Sequence, residues 1–471
     1  MSKWLTRGKY FRFMSYSNDK SGSMRILSIL SKEGISVHFC GVGGVSMRSL
    51  FFVSRHFGIA CSGSDRGCAD FISYLSDMGE DAFLGEREAL PKSTALLVYS
   101  HAISPDNPER VYARKMRIAE VSRAEYLGAL MHCYDFRIGV SGSHGKSTVT
   151  AMLAHILKSA HMNPTVLSGA SLCESESPFY IGSLDFLVYE SCEYRDSFLH
   201  FSPTVALFLN MELDHVDYFK DKEELSASFL KAMHTAEICV VNIDDAGLRE
   251  LIMSESDIRA VTYGTSTNAD YRYEIVSPEP MKMRFRLFFK NELLGEVSLG
   301  MLGTFNVSNA VAAIVGARLA SLDFCEAAEA IGKFKPIARR LEHIGRYRGR
   351  EVYYDYAHHP TEIKASVEAL KAYTGGEITV IFRPHTYSRT KGLWDDFKKV
   401  FSEIDNVILT DISAIRENEI SGVSSERLAF ECGAVYASDA REILKNLELT
   451  KGDIIVMGAA DLSDVIKFLK E

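Results

Sequence analysis

Six consecutive residues, Gly142-Ser143-His144-Gly145-Lys146-Ser147, carry the strongest chemical signal in the chain. Glycines let backbone N–H groups turn toward an anion. A lysine brings a mobile positive charge, and the hydroxyl beside it suits a hydrated Mg²⁺. Together they make a cradle for nucleotide phosphates. An apolar run over 136–140 precedes the loop and a helical pattern over 150–159 follows it, as such a cradle requires. The general pattern has a glycine where Val140 stands; here Gly142 takes that part, closer to Gly145, so the loop is a shortened variant. Its presence predicts a protein that consumes ATP, with Lys146 on the terminal phosphates, Ser147 near Mg²⁺, and Thr148 in the same turn.

Other groups of the right chemistry stand where apolar runs end. In a parallel sheet, residues at the C-terminal ends of strands face the ligand crevice. Glu190 closes the run 186–189 and is placed either to hold Mg²⁺, directly or through water, or to be a solvated strand-end acid. His215 follows the run 204–209 with Glu212, Asp214 and Asp217 around it, which suits a metal or a phosphate; a lone histidine is otherwise most often structural. Three polar tips follow later runs: Asp355, His358 and His359 in the first, Arg389 in the second, and residues 411–417 in the third. The fork of Arg389 suits a carboxylate. The three tips read as one binding face or as ordinary polar loops.

The elements that must position these groups fall into three αβ blocks. The first has a strand over 37–42, the turn Gly41-Val42-Gly43-Gly44, a helix over 46–57 and a second strand ending at Asp65. That arrangement is Rossmann-like and suits a diphosphate, or is simply a tight strand-to-helix turn. The second block holds the phosphate loop, strands at 186–189, 204–209 and 238–242, an alternating hairpin over 283–299 turning at Asn291-Glu292, and a helix from about 303 to 316. In the third, strands at 351–356, 378–382, 406–410 and 453–457 alternate with helical patterns, the mark of a doubly wound parallel sheet. The expected division is a tail at 1–24, read as disordered or as a misassigned start, then domains at 25–134, 135–335 and 336–471.

Composition bounds the function. At 471 residues the chain exceeds one ordinary core, and a prior of about 150 residues per domain gives about three. A net charge of −9 argues against nucleic acid as a main partner. There is no apolar run of about 18 residues to span a membrane. Nine scattered cysteines with no Cys-x-x-Cys pair read as reduced thiols of a cytosolic protein.

Taken together the motifs resemble the Mur ligase family over about residues 34–465. The resemblance rests on His38-Phe39-Cys40-Gly41-Val42-Gly43-Gly44, on the shortened phosphate loop, which is the family's own form, and on Gly63-Ser64-Asp65 and Arg123-Ala124-Glu125. Further matches are residues 193–200, Asp214-His215, Asn306 with Asn309, Arg339-Arg340, residues 355–362, residues 384–389 and Met457-Gly458-Ala459. The stretches 193–200 and 355–362 favour the branch that joins L-alanine to UDP-N-acetylmuramate in peptidoglycan precursor synthesis.

The resemblance implies three α/β domains: a Rossmann-like N-terminal domain, a central P-loop ATPase-like parallel-sheet domain and a Rossmann-like C-terminal domain. It implies ATP and Mg²⁺ as cofactors, a cytoplasmic location and a monomer or homodimer. Residues 142–147 would hold the ATP phosphates; Ser147, Glu190 and His215 would serve Mg²⁺; Asn306 and Asn309 would lie near the base; Arg340 and Asp355 would complete the site on closure. Gly41, Gly43, Gly44, Asp65, Ser100, His101 and Arg123 would hold the UDP-sugar, with His358 and Arg389 near the alanine. Ser46, Phe305, Arg383 and Ala460 depart from the family pattern, which bears on substrate affinity. Two other readings use the same residues: a sister ligase that adds a peptide, and a sugar-nucleotide-binding protein or dehydrogenase built on the first glycine turn.

Overall fold

The chain was described from a computed structural model, which covers residues 22–172, 177–215, 218–279, 282–414 and 417–469. Asp217 and most of the expected N-terminal tail lie outside the described residues; the first described helix, Gly22–Leu30, begins within the segment read as tail. Three sheets organise the molecule, and each apolar run of the sequence becomes a strand buried on both faces.

The first sheet has five parallel strands in the order Asp81–Leu84, Ala60–Asp65, Ser36–Cys40, Thr94–Tyr99, Ala119–Ser122. Ser36–Cys40 lies in the middle, so the glycine turn that follows it opens at the centre of the sheet's C-terminal edge. The second sheet has ten strands. At its parallel centre Phe136–Ser141 is paired on one side with Val205–Phe208 and on the other with Phe186–Glu190. The phosphate loop, Glu190 and residues 209–215 therefore leave three neighbouring strands on one edge. The alternating stretch becomes the antiparallel strands Lys282–Phe289 and Glu292–Leu299, turning at Lys290-Asn291, one residue before the expected Asn291-Glu292. Helices Lys146–Ser159, Thr304–Leu319 and Phe324–Lys333 share one apolar core on this sheet.

The third sheet runs Glu342–Tyr347, Arg350–Asp355, Asp453–Met457, Ile378–Phe382, Asn406–Leu409, Val435–Tyr436. It departs from a fully parallel reading at one edge: Glu342–Tyr347 pairs antiparallel with Arg350–Asp355, because the short turn at 348–349 folds the chain straight back. Local chemistry sets several helix starts. Ser122 and Glu125 form a capping box for Arg123–Leu130, and His359 and Glu362 form one for Pro360–Thr374, with Pro360 in the first turn. No helix among the described residues is long and apolar enough to cross a membrane.

Candidate active site

The phosphate loop adopts the geometry its glycines permit. Gly142 has φ 142° and Gly145 has φ 83°, both in the region that L side chains avoid. A Cβ on Gly145 would meet Asn309 Oδ1 at 2.7 Å, so this glycine also admits the helix Thr304–Leu319 against the loop. The loop is braced by its neighbour strand: Ser143 Oγ donates to the Glu212 carbonyl and accepts from its N–H, both at 2.8 Å, and the His144 N–H donates to Asn210 Oδ1 at 2.8 Å.

Lys146 opens the following helix and folds back over the loop. Its Nζ donates to the carbonyls of Gly142 and Ser143 and to both carboxylate oxygens of Glu193, at 3.1 and 3.3 Å. Burial alone would lower the ammonium pKa, but Glu193 overrides it and holds the charge on. Glu193, itself buried, also faces His215, whose Nε2 lies 3.6 Å from Glu193 Oε1. His215 reaches this position with a left-handed backbone, φ 53°, its ring packed on Tyr194 at 4.6 Å. Burial pushes its pKa down, so the ring is a neutral donor of a lone pair. Glu190 sits one strand over, in register with Val140, and accepts from Ser168 Oγ at 2.9 Å and from the Gly169 N–H. Ser147 is half-buried beside Lys146. Glu193 and His215 face each other, and Ser147 and Glu190 stand on the adjoining helix and strand; the hydroxyl, carboxylates and imidazole are donor types that Mg²⁺ accepts. Glu193 lies in a stretch quoted for its resemblance but was given no role; its burial beside a lysine becomes evident only when the strands are assembled.

The third unit closes over the loop. One cavity is lined from the central unit by His144, Gly145, Thr148, Asn306 and Asn309, and from the third by Arg340, Asp355 and Glu362. Asn306 donates to the Leu302 carbonyl at 2.7 Å, and Asn309 Nδ2 lies 3.3 Å from Asn306 Oδ1; both are buried. Phe305, one of the departures, lines the same cavity. Asp355 ends its strand and accepts from the N–H groups of Ala357 and Leu341, at 2.6 and 2.8 Å; burial nevertheless pushes its carboxyl up to about 6, against the pull of Arg340.

His144 is clamped from two sides. Glu212 of the central unit lies 3.0 Å from Nε2, and Glu362 of the third unit lies 3.2 Å from Nδ1. Burial would lower this histidine, yet the two carboxylates push it up to about 10, so it is an imidazolium. Glu212 was expected only as an acid beside His215, and Glu362 was given no role, although it has a capping-box signature three residues after His359. His358 donates Nδ1–H to the Tyr356 carbonyl at 3.1 Å, and burial pushes it down to about 4. Arg389 does hold a carboxylate with two parallel hydrogen bonds, but the partner belongs to this chain: Asp214, at 3.0 and 3.1 Å.

The N-terminal unit supplies a separate cleft of about 720 Å³, lined by Gly41, Gly43, Gly44, Asp65 and Ser100 among others. Asp65 is spent on the turn itself: it accepts from the N–H groups of Gly43, Gly67 and Cys68 at 2.9–3.2 Å. His101 contributes its carbonyl to Arg195 of the central unit, at 3.5 Å. Arg123 is half-buried; desolvation lowers its pKa, while Cys192 and Glu190 of the central unit act the other way.

Phosphate loop, paired carboxylates at strand ends and a third αβ unit folded over them define an ATP-dependent ligase of three units. Three family models match in order: the Mur ligase family catalytic domain over residues 36–134, the Mur ligase middle domain over 140–317, and the Mur ligase glutamate ligase domain over 339–460. The chain belongs to the Mur ligase family. Among its relatives, the UDP-N-acetylmuramate–L-alanine ligase of Caldicellulosiruptor bescii is 36% identical over 92% of this chain and 97% of that protein. The enzyme of the same name from Clostridium acetobutylicum is 36% identical over 90% of this chain and 95% of its own. The crystal structure of UDP-N-acetylmuramate-alanine ligase MurC from Thermotoga maritima shares the fold, with a TM-score of 0.75 at 24% identity, covering 92% of this chain and 98% of that one.

Proposed function

We propose that this chain joins L-alanine to the lactyl carboxylate of UDP-N-acetylmuramate at the expense of ATP, in peptidoglycan precursor synthesis. The observation that carries the reading is the closure of Arg340, Asp355 and Glu362 over a phosphate loop whose lysine is already paired with a buried glutamate. Relatives of that name at 36% identity over nearly the whole chain support the choice of substrates.

A carboxylate cannot form an amide unaided, because oxide is a poor leaving group. The lactyl carboxylate would attack the γ-phosphorus of ATP, releasing ADP and leaving an acyl phosphate. The alanine amine would then attack the acyl carbon, and inorganic phosphate would leave. The protein's part is positioning and charge neutralisation. Lys146 and the His144 imidazolium bring two positive charges to the loop. Asn306 and Asn309 face the same cavity, where the base would lie, and Arg340 and Asp355 would complete it.

Ser147, Glu190 and His215, with Glu193, would hold Mg²⁺, whose charge offsets that of the phosphate oxygens. The N-terminal cleft, lined by Gly41, Gly43, Gly44, Asp65 and Ser100, suits the UDP-sugar, and His101 and Arg123 would serve it from outside that lining. His358 and Arg389 would lie near the alanine. The third unit would exclude water from the acyl phosphate. We place the reaction in the cytoplasm, where thiols stay reduced; no disulfide joins the eight described cysteines.

The test is ADP release with UDP-N-acetylmuramate as donor and L-alanine, glycine, L-serine or the cell-wall tripeptide as acceptor. Release that needs the donor and is fastest with L-alanine is the expected result. Release faster with the tripeptide, or indifferent to the acceptor, would overturn the reading.

A further inference from the structure

The ligase reading leaves one side chain of the central cluster unused. Cys192 lies just beyond strand Phe186–Glu190, its carbonyl accepting from the Phe198 N–H at 3.1 Å. The turn that follows carries two successive left-handed residues, Arg195 and Asp196, pinned where Asp196 accepts from the hydroxyls of Tyr218 and Ser228. So braced, one donor atom each from Cys192, Glu193 and His215 lie within 4.8 Å of one another. Glu193 is buried, and Cys192 and His215 are half-buried.

Thiolate, imidazole and carboxylate are the ligands that zinc prefers, in sites of three protein donors with a fourth position open. Magnesium, by contrast, takes oxygen and has no use for sulfur. Two other clusters among the described residues have comparable spacing. His144, Glu212 and His359 form one, but both ring nitrogens of His144 are already held by carboxylates at 3.0 and 3.2 Å. His234, Glu255 and Asp257 form the other, and two of its three members are exposed.

We propose that Cys192, Glu193 and His215 form a site for a thiophilic divalent cation, zinc foremost, at the heart of the catalytic centre. Binding forms the metal–sulfur bond and releases the thiol proton to solvent, with no change of oxidation state. The ion takes Glu193 from Lys146 and sets its own charge beside that ammonium, so a zinc-loaded protein loses the arrangement that the loop lysine needs. Metal binding requires neither nucleotide nor sugar and does not rest on the ligase reading.

The full-length protein, stripped of metal, is titrated with Co²⁺ as a spectroscopic stand-in and then with Zn²⁺. One equivalent of Co²⁺ should give a near-ultraviolet thiolate-to-cobalt charge-transfer band, which zinc abolishes by displacement. The band should vanish in Cys192→Ser and in His215→Ala and persist in Cys325→Ser, an exposed thiol elsewhere. Zinc affinity should weaken more than about 100-fold in Cys192→Ser, beyond what loss of an outer partner costs. Zinc should inhibit ADP release by the parent protein and require a correspondingly higher concentration in that variant. A band that persists in Cys192→Ser, or its absence from the parent protein, overturns the site. If the chain released no ADP under any condition, the ligase reading would fall and the cobalt result would stand.

Discussion

At the scale of single residues, the charges around the phosphate loop are set by pairing rather than by exposure. Lys146 is only 14% exposed yet remains an ammonium because Glu193 lies 3.1 Å away. Replacing it with alanine removes the one mobile cation of the loop while leaving the glycine turns untouched. ADP release should fall at least about 100-fold in Lys146→Ala with the circular dichroism unchanged; near-normal turnover would exclude the scheme. His144 makes a pH prediction. Its pKa is raised from 6.5 to about 10 in the folded protein, so the stability it contributes is full below pH 6.5 and is lost as pH rises through 10. The thermal midpoint of the parent protein should therefore drop more steeply between pH 7 and 10 than that of His144→Gln, measured by calorimetry in one buffer series. Parallel curves would mean that the ring carries no extra proton.

At the scale of elements, much of the molecule was legible in the chain. Continuous apolar runs gave the central strands, since a strand buried on both faces has nothing polar to show. The loop could be placed because its neighbours switch from strand to helix at Gly142 and Lys146. The edge strand Glu342–Tyr347 was not legible: it is half solvated and mixes His343, Gly345 and Arg346, so no period stands out. Nor were the roles of Glu193 and Glu362, or the clamp of Glu212 on His144, because their importance lies in which strands and helices bring them together, and that is a tertiary fact.

Contacts between units also depend on elements. Helix Arg123–Leu130 lies so close to segment Tyr194–His200 that a Cβ on Gly128 would stand 2.2 Å from the His200 carbonyl oxygen. Backbone cannot yield cheaply there. Gly128→Ala should cost about 1–3 kcal/mol in denaturant unfolding, and an unchanged midpoint would show that the interface adjusts freely.

At the scale of the whole molecule, closure of the third unit hangs on a few buried charges. Arg389 and Asp214 meet across the boundary in a two-bond pair, with side chains 14% and 7% exposed. Breaking such a pair by removing one partner typically costs about 3–5 kcal/mol, because the other charge is left buried and alone. Asp214→Ala should therefore expand the protein in small-angle scattering, whereas Asp214→Leu combined with Arg389→Met should recover much of the compactness. A single variant as compact as the parent would remove this pair from the closing equilibrium. The same pair bears on how an amino acid is received. If Arg389 is to greet the carboxylate of an incoming alanine, it must first let go of one that the chain supplies itself. On that reading Asp214 would be a resident competitor for the guest's carboxylate. Acceptor affinity would then be the difference between two nearly identical salt links, to be tuned by altering the competitor without touching a residue that contacts the guest.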